Sequence, residues 1–422
     1  MSQVADVDAM AAAPAREAAE ARPVAKAARW LALDLFRFCA VCLMVQGHVF
    51  STLLDQATKS QGWYPHHSFV HGYTAPMFLF GAGLAFGYTT FRKWDEHTSG
   101  GFAALKRFKR YGWLLVIGYM LHLPTLSLSR LLDIDDPAAL ARMFQVDVLQ
   151  HIGVSLAICQ LMVLFVKSKR VFVTLVAAMA GFCICAAPWV WQWDVSGLPV
   201  WLAGYVNAAG GSIFPIVPWA GFTYTGIVIA YAVGVGGAGS AKAVSERVSW
   251  PFAALAALFL LVPVVLDRFG PFPWPEHNFW KTNPFFFFWR LGNVMAVLAT
   301  LCFVEHGLTR LGWLGASDGL GASVAGRLLP WVKLVGAESL IIYVAHLLAL
   351  HGSVLAPGLK HTDVFAEHQH GVVMASVVTL LVFVAMVLLA KGWNELKKQQ
   401  QGFGAVQISM VGLIVFLMLT GR

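Results

Sequence analysis

The feature that most constrains this chain is a series of long apolar runs without charges, such as VVMASVVTLLVFVAMVLLA from Val372 to Ala390. A helix crossing a bilayer needs about 20 mostly apolar residues, because the hydrocarbon layer is about 30 Å thick and each residue rises about 1.5 Å. Barrel strands would instead alternate polar and apolar residues over about ten positions. Backbone groups in lipid must bond within their own segment, so unbroken runs of this length mean helices. Of the 422 residues, 58% are hydrophobic and 12% charged. Soluble domains carry roughly 25% charged residues, so this chain cannot bury its apolar surface in one water-soluble core. The expected fold is all-α, a polytopic transmembrane helical bundle.

Eleven spans are expected: 29–51, 70–91, 109–128, 146–166, 170–191, 212–236, 249–267, 284–306, 331–352, 370–391 and 404–421. The Gly-rich stretch 196–211 is short and reads as a re-entrant or interfacial segment. Residues 1–28 are Ala-rich with scattered charges and read as a disordered cytosolic tail, leaving 29–422 as one transmembrane domain. With the N-terminus cytosolic, the inner loops hold 21 of the 30 Lys and Arg, the outer side seven and the spans two, Arg37 and Arg290. This is the bias expected of cytoplasmic loops. It also accounts for the net charge of +8 without any nucleic-acid partner. All six cysteines fall inside apolar runs and read as small buried hydrophobes rather than a disulfide framework.

Ionisable residues at membrane depth are functional candidates by default, since each is costly unless paired or hydrated. In LDLFRFCAVCLMVQGHVF, Arg37 and His48 are eleven positions apart. That is three turns with about 20° of drift, placing both on one face about 16 Å apart. Asp34 lies three before Arg37 and within reach of it. In QVDVLQHIGVS, Asp147 and His151 are four apart, and a carboxylate can fix an imidazole tautomer and raise its basicity. An interfacial N-terminal turn, since aspartate favours helix starts, is the equally weighted reading of Asp147. In GAESLIIYVAHLLALHG, Ser339, Tyr343 and His346 form one polar stripe, suited to substrate contact or to interhelical hydrogen bonds. His67 and His71 have helical ligand spacing but no accompanying glutamate, so no metal site is expected. Two prolines in IFPIVPWAGFTYTG mark a broken helix start. No nucleotide-binding loop, GxSxG or dinucleotide fingerprint is present.

The segments LDLFRFCAVCLMVQGHVF, TAPMFLFGAGLAFG, RFKRYGWLLVIGY, FQVDVLQHIGVSLAI, FPIVPWAGFTYTG and GAESLIIYVAH run in order over residues 29–350. Together they resemble the bacterial relatives of the heparan-α-glucosaminide N-acetyltransferase catalytic domain, within the transmembrane acyltransferase superfamily. The resemblance implies a helical bundle with a central cavity in a bacterial inner membrane. It implies a membrane-bound O- or N-acyltransferase that takes acetyl-coenzyme A or another acyl-coenzyme A from the cytosol. The acceptor would be a hydroxyl or amine of an extracytoplasmic glycan or small molecule. The superfamily's functional arginine and histidine of the first span match Arg37 and His48. The heparan-type enzymes instead use a histidine just before the second span, for which His66, His67 and His71 are the candidates. The glycine usual after the first-span arginine is Phe38 here.

The expected catalytic set is therefore His48, Arg37, His71, Asp147 and His151. Arg107, Lys109 and Arg110 would meet the donor's phosphates, and Arg290, Tyr343 and His346 the acceptor. Expected partners are the lipid bilayer, acyl-coenzyme A, the acceptor and, in a homodimer, a second copy. The competing classes are a transporter or flippase using the same buried polar groups as a path, and a non-catalytic protein of the same fold.

Overall fold

The computed structural model describes residues 30–235, 241–270, 272–314 and 320–421. The expected tail 1–28 lies outside the described residues. The long helices are α1 (Leu31–Leu53), α2 (Tyr64–His71), α3 (Thr74–Arg92), α4 (Phe102–Met120), α5 (Val148–Val166), α6 (Lys169–Cys185) and α7 (Ile216–Ala232). There follow α8 (Ala241–Leu266), α9 (Pro284–Arg310), α10 (Leu320–Ala337), α11 (Ser339–His351), α12 (Val372–Lys398) and α13 (Gln400–Thr420). Among the described residues the only sheet is a two-residue hairpin pairing Gly352–Ser353 with Ala356–Pro357. The fold is all-α, and the protein is a multi-pass membrane protein.

Each of the eleven expected stretches contains a helix, although that of 109–128 ends at Met120. Six helices are long and apolar enough to cross a membrane, or up to seven if the bent pair α10 and α11 is one span. α4 is interrupted by its basic residues, while α7 and the apolar part of α13 are shorter. The expected single span 331–352 is two helices meeting at 74°. The break is Glu338, whose φ of −100° and ψ of 20° leave the helical region. Its carboxylate is buried, accepting from Asn394 Nδ2 at 3.0 Å and Lys397 Nζ at 2.5 Å on α12. The stretch 196–211 holds one short helix, Val200–Val206. The start of α7 is broken as its prolines predict, with Val217 at φ −97° and ψ 122°.

α1 is the hub of the bundle, packing against α3, α9, α10, α11 and α12. Its buried side chains Phe36, Val41, Met44, Val45, Val49 and Leu53 form the centre of one continuous core. α3 lies along α7 at backbone distance, where a Cβ on Gly83 would stand 1.9 Å from the Thr223 carbonyl oxygen. One on Gly226 would stand 2.5 Å from the Phe80 carbonyl oxygen. In lipid, such small-residue seams replace the hydrophobic drive as the source of helix association. The N-terminus of α1 is tied down by a carboxylate that the charge pattern left inside an apolar run. Buried Glu305 on α9 accepts Ala32 N–H at 2.9 Å and the hydroxyl of Ser245 on α8. The Trp30 indole donates to that same hydroxyl at 2.7 Å.

Candidate active site

The later half of α1 gathers imidazoles from three elements. His48 faces His71 of α2 at 5.7 Å between ring centroids, His346 of α11 at 5.2 Å and His351 at the end of α11 at 6.4 Å. His67 lies 6.4 Å from His71, with parallel rings. The approach of α2 to α1 depends on Gly47, where a Cβ would stand 1.7 Å from His71 Cδ2 and 2.1 Å from its Nε2. His67 is clamped at its Nε2 by the Gln46 carboxamide, 2.7 Å away, and stacks on Phe50 and Tyr64. His66 is exposed. The three loop histidines are thereby distinguished, and His71 is the one that reaches His48.

His346 is fully buried, and its Nδ1 lies 2.9 Å from the Ile342 carbonyl oxygen. A carbonyl only accepts, so Nδ1 carries the proton and Nε2 holds a lone pair. That Nε2, like His71 Nε2, is buried without a hydrogen-bond partner among the described residues. One turn before His346, Tyr343 lies beside it at 5.9 Å between centroids and donates its hydroxyl to Asp147 Oδ2 at 3.2 Å. His122 Nε2 stands 3.8 Å from the same oxygen. His346, with its lone pair on Nε2, and His71, with its Nε2 unpartnered among the described residues, thus flank His48, and a tyrosine and a carboxylate extend the polar chain to His122. Such a cluster can take a proton from a nucleophile and pass it on.

Asp147 does not orient His151. It is the N-cap of α5, extended at φ −109° and ψ −175°, with Oδ1 accepting Val148 N–H in a capping box with Gln150. His151 points elsewhere, its Nδ1 3.0 Å from the Phe214 carbonyl oxygen. The carboxylate's side-chain neighbours are Tyr343, which donates to it, and His122 at 3.8 Å, neither of which sequence spacing offered. Arg290 stands on the far side of α2, its guanidinium 4.4 Å over the Phe286 ring and 3.7 Å from where a Cβ of Gly72 would be. Arg37 lies on α1, 11 positions before His48 and near the helix start.

The basic cluster begins α4. Arg107 donates to Thr90 Oγ1 at 2.8 Å, Gln160 Oε1 at 2.9 Å and Thr89 Oγ1 at 2.7 Å, and lies 4.9 Å over the Phe86 ring. It stitches α3, α4 and α5 together, so most of its donors are committed. Lys106, Lys109 and Arg110 are exposed and free to turn toward an anion. His97, in the short helix Trp94–Thr98, is buried beside this guanidinium. Burial first and the Arg107 charge second pull its imidazole down to about 4.

A family model described as heparan-alpha-glucosaminide N-acetyltransferase, catalytic, matches residues 29–265, more than half of the 422-residue chain. The chain belongs to this family. A search among curated proteins found no match. Membership assigns a membrane acyltransferase-type function, and the family in general uses acetyl-coenzyme A as donor. The matched stretch of this family member carries Arg37, His48, His71, Asp147, His151 and the basic cluster; Arg290, Tyr343 and His346 lie beyond it. Among the described residues, no group of three or more His, Cys, Asp or Glu is arranged to hold a metal ion.

Proposed function

We propose that the protein transfers an acyl group, with acetyl the leading choice, from cytosolic acyl-coenzyme A to a hydroxyl or amine of an extracytoplasmic glycan or small acceptor. The N-terminus is cytosolic and the membrane is the bacterial inner membrane in this reading. The observation that carries it is the packing of His48 against His71 and against His346, whose Nε2 has no hydrogen-bond partner among the described residues. The acceptor's O–H or N–H gives its proton to an imidazole of this group as its heteroatom attacks the thioester carbon. The C–S bond breaks as the C–O or C–N bond forms, and the thiolate leaves as coenzyme A, taking a proton. A well-placed base contributes about 10²–10⁴-fold to such a step. Asp147 and Tyr343 act as positioning residues beside His346. Lys106, Lys109 and Arg110 attract the donor's phosphates, and Arg107 holds the helices that present them.

The test is thermal unfolding of the purified protein with acetyl-coenzyme A and longer acyl-coenzymes A. A ligand at about 100 times its dissociation constant stabilises its target by about 2.7 kcal/mol. The reading predicts a clear upward shift that shrinks when Lys109 and Arg110 become glutamine. No shift with any acyl-coenzyme A contradicts the donor assignment and favours solute transport through the same polar groups.

A further inference from the structure

α6 is uncharged from Val171 to Cys185, and the turn that joins it to α5 carries three cations, Lys167, Lys169 and Arg170. Phe165 on α5 and Val171, Leu175 and Phe182 on α6 are exposed. Apolar side chains left open on a membrane helix face lipid chains, which are as apolar as leucine. This lipid-facing surface is indented. A groove of about 440 Å³ runs between α5, α6 and α7, with Met162, Leu175 and Met179 along its sides. Exposed Phe182 stands at its rim, and buried Val217 and Tyr224 lie at its floor. The space exists because α6 is thin here. Ala178 lines the groove, and a Cβ on nearby Gly181 would meet nothing within 4 Å. Apart from the tyrosine, the lining is apolar. Its volume lies within the range of about 300–1,000 Å³ typical of ligand sites, and its chemistry suits a hydrocarbon chain.

The depth of the groove points to what fills it. Along α6, Leu175 lies about 9 Å and Cys183 about 21 Å from Lys169, at about 1.5 Å per residue. Half a bilayer, headgroups included, is about 20–22 Å thick. On α6 the groove therefore lies where the chain of a lipid would run if its headgroup sat at the basic turn. That turn is fixed in place: Lys167 has a left-handed φ of 54°, and its carbonyl accepts the Trp94 indole N–H at 3.1 Å. The Lys167 and Arg170 side chains are exposed and form no ion pair among the described residues. Filling an apolar groove gives little preference among lipids, because every chain is equally apolar. The cations supply the preference. Each Lys or Arg close to an anionic membrane surface is worth about fivefold in binding.

We propose that this groove holds an acyl chain of an anionic phospholipid, whose phosphate rests on Lys167, Lys169 and Arg170. None of the clustered histidines lines the groove, so the lipid site stands whether or not the protein transfers acyl groups.

The experiment places the full-length protein in phosphatidylcholine nanodiscs with a trace of a photoreactive lipid carrying a diazirine in mid-chain. The headgroup of this probe is phosphatidylglycerol in one sample and phosphatidylcholine in the other, with identical chains. After illumination, labelled residues are mapped by peptide mass spectrometry. Labelling of Met179 and Tyr224 is measured relative to Leu388, an exposed residue of α12 outside the groove. This ratio should be at least about 10-fold higher for the phosphatidylglycerol probe. Lys167→Gln and Arg170→Gln should each lower that excess about fivefold. Ala178→Trp fills the groove and should remove label from Tyr224 with either probe, leaving Leu388 labelled as before. All three substituted residues are exposed, and the Leu388 signal reports that each variant is folded and inserted. Equal ratios for the two probes overturn the proposal, as does groove labelling no stronger than that of Leu388. A phosphatidylglycerol excess that survives both Lys167→Gln and Arg170→Gln also overturns it, because the headgroup would then sit elsewhere.

Discussion

Gly47→Ala tests the proposed role of His71 directly. The added Cβ would stand 1.7 Å from His71 Cδ2, whereas carbon atoms rest about 3.5–4.0 Å apart. The imidazole, or α2 with it, must therefore retreat by about 2 Å. A misplacement of about 1 Å in a catalytic group can cost about 10²-fold in rate, equivalent to about 2.7 kcal/mol of barrier. Overpacking a core costs a further 1–3 kcal/mol or so of stability. The account predicts at least a ~100-fold loss of acyl transfer, measured as coenzyme A release with acceptor present, and a lowered unfolding temperature. The double variant Gly47→Ala, His71→Ala removes the clashing ring. It should regain most of the stability and be no less active than His71→Ala alone. A folded Gly47→Ala protein with wild-type turnover refutes the reasoning, as does a double variant much slower than His71→Ala.

Asp147→Asn keeps the cap, since asparagine caps as well as aspartate, but removes the charge facing Tyr343 and His122. Turnover should fall about 10–100-fold, the size of a charge-assisted hydrogen bond, with the unfolding temperature nearly unchanged and the pH–rate profile displaced. Glu338→Ala strands Asn394 and Lys397 at the bend between α10 and α11, and should cost about 1–3 kcal/mol in chemical denaturation. Glu305→Ala removes the carboxylate that caps α1, a loss of about 1–2 kcal/mol by the same assay. Folded His97 takes its proton only near pH 4, whereas the unfolded chain takes it near about 6.5. Its contribution to stability is therefore complete above about pH 6.5 and lost as pH falls toward 4, at no more than about 1.4 kcal/mol per unit. In His97→Gln the stability–pH slope across that window should flatten.

The helices were legible because each apolar run has only one way to satisfy its backbone in lipid. The shared face of Arg37 and His48 was legible because eleven residues nearly complete three turns. Where the chain leaves the helix, spacing loses its meaning. The Asp147 carbonyl accepts His151 N–H at 3.0 Å as the first turn of α5 begins, but as N-cap its own backbone is extended, so its carboxylate leaves the helical face and turns to Tyr343 and His122 instead. Glu338 sits on a break that no proline announces. The nearest sign is Gly336, where a Cβ would stand 2.9 Å from the Asp34 carbonyl oxygen, a contact between residues 302 positions apart in the chain. His71 could not be chosen over His66 and His67, because the link from α1 to α2 turns through a short helix capped by Asp55. The fit of His71 against Gly47 exists only in three dimensions.

The most direct test of the central claim follows radiolabelled acetyl-coenzyme A supplied inside proteoliposomes that contain the protein with its cytosolic face inward. A panel of amino sugars and polyols is offered outside. The account predicts that label appears covalently on an external acceptor, with one free coenzyme A released inside for each acylated product. His48→Ala and His346→Ala should each reduce both signals by about 10²–10⁴-fold. Passage of an unmodified solute across the bilayer, with the thioester intact, would contradict it.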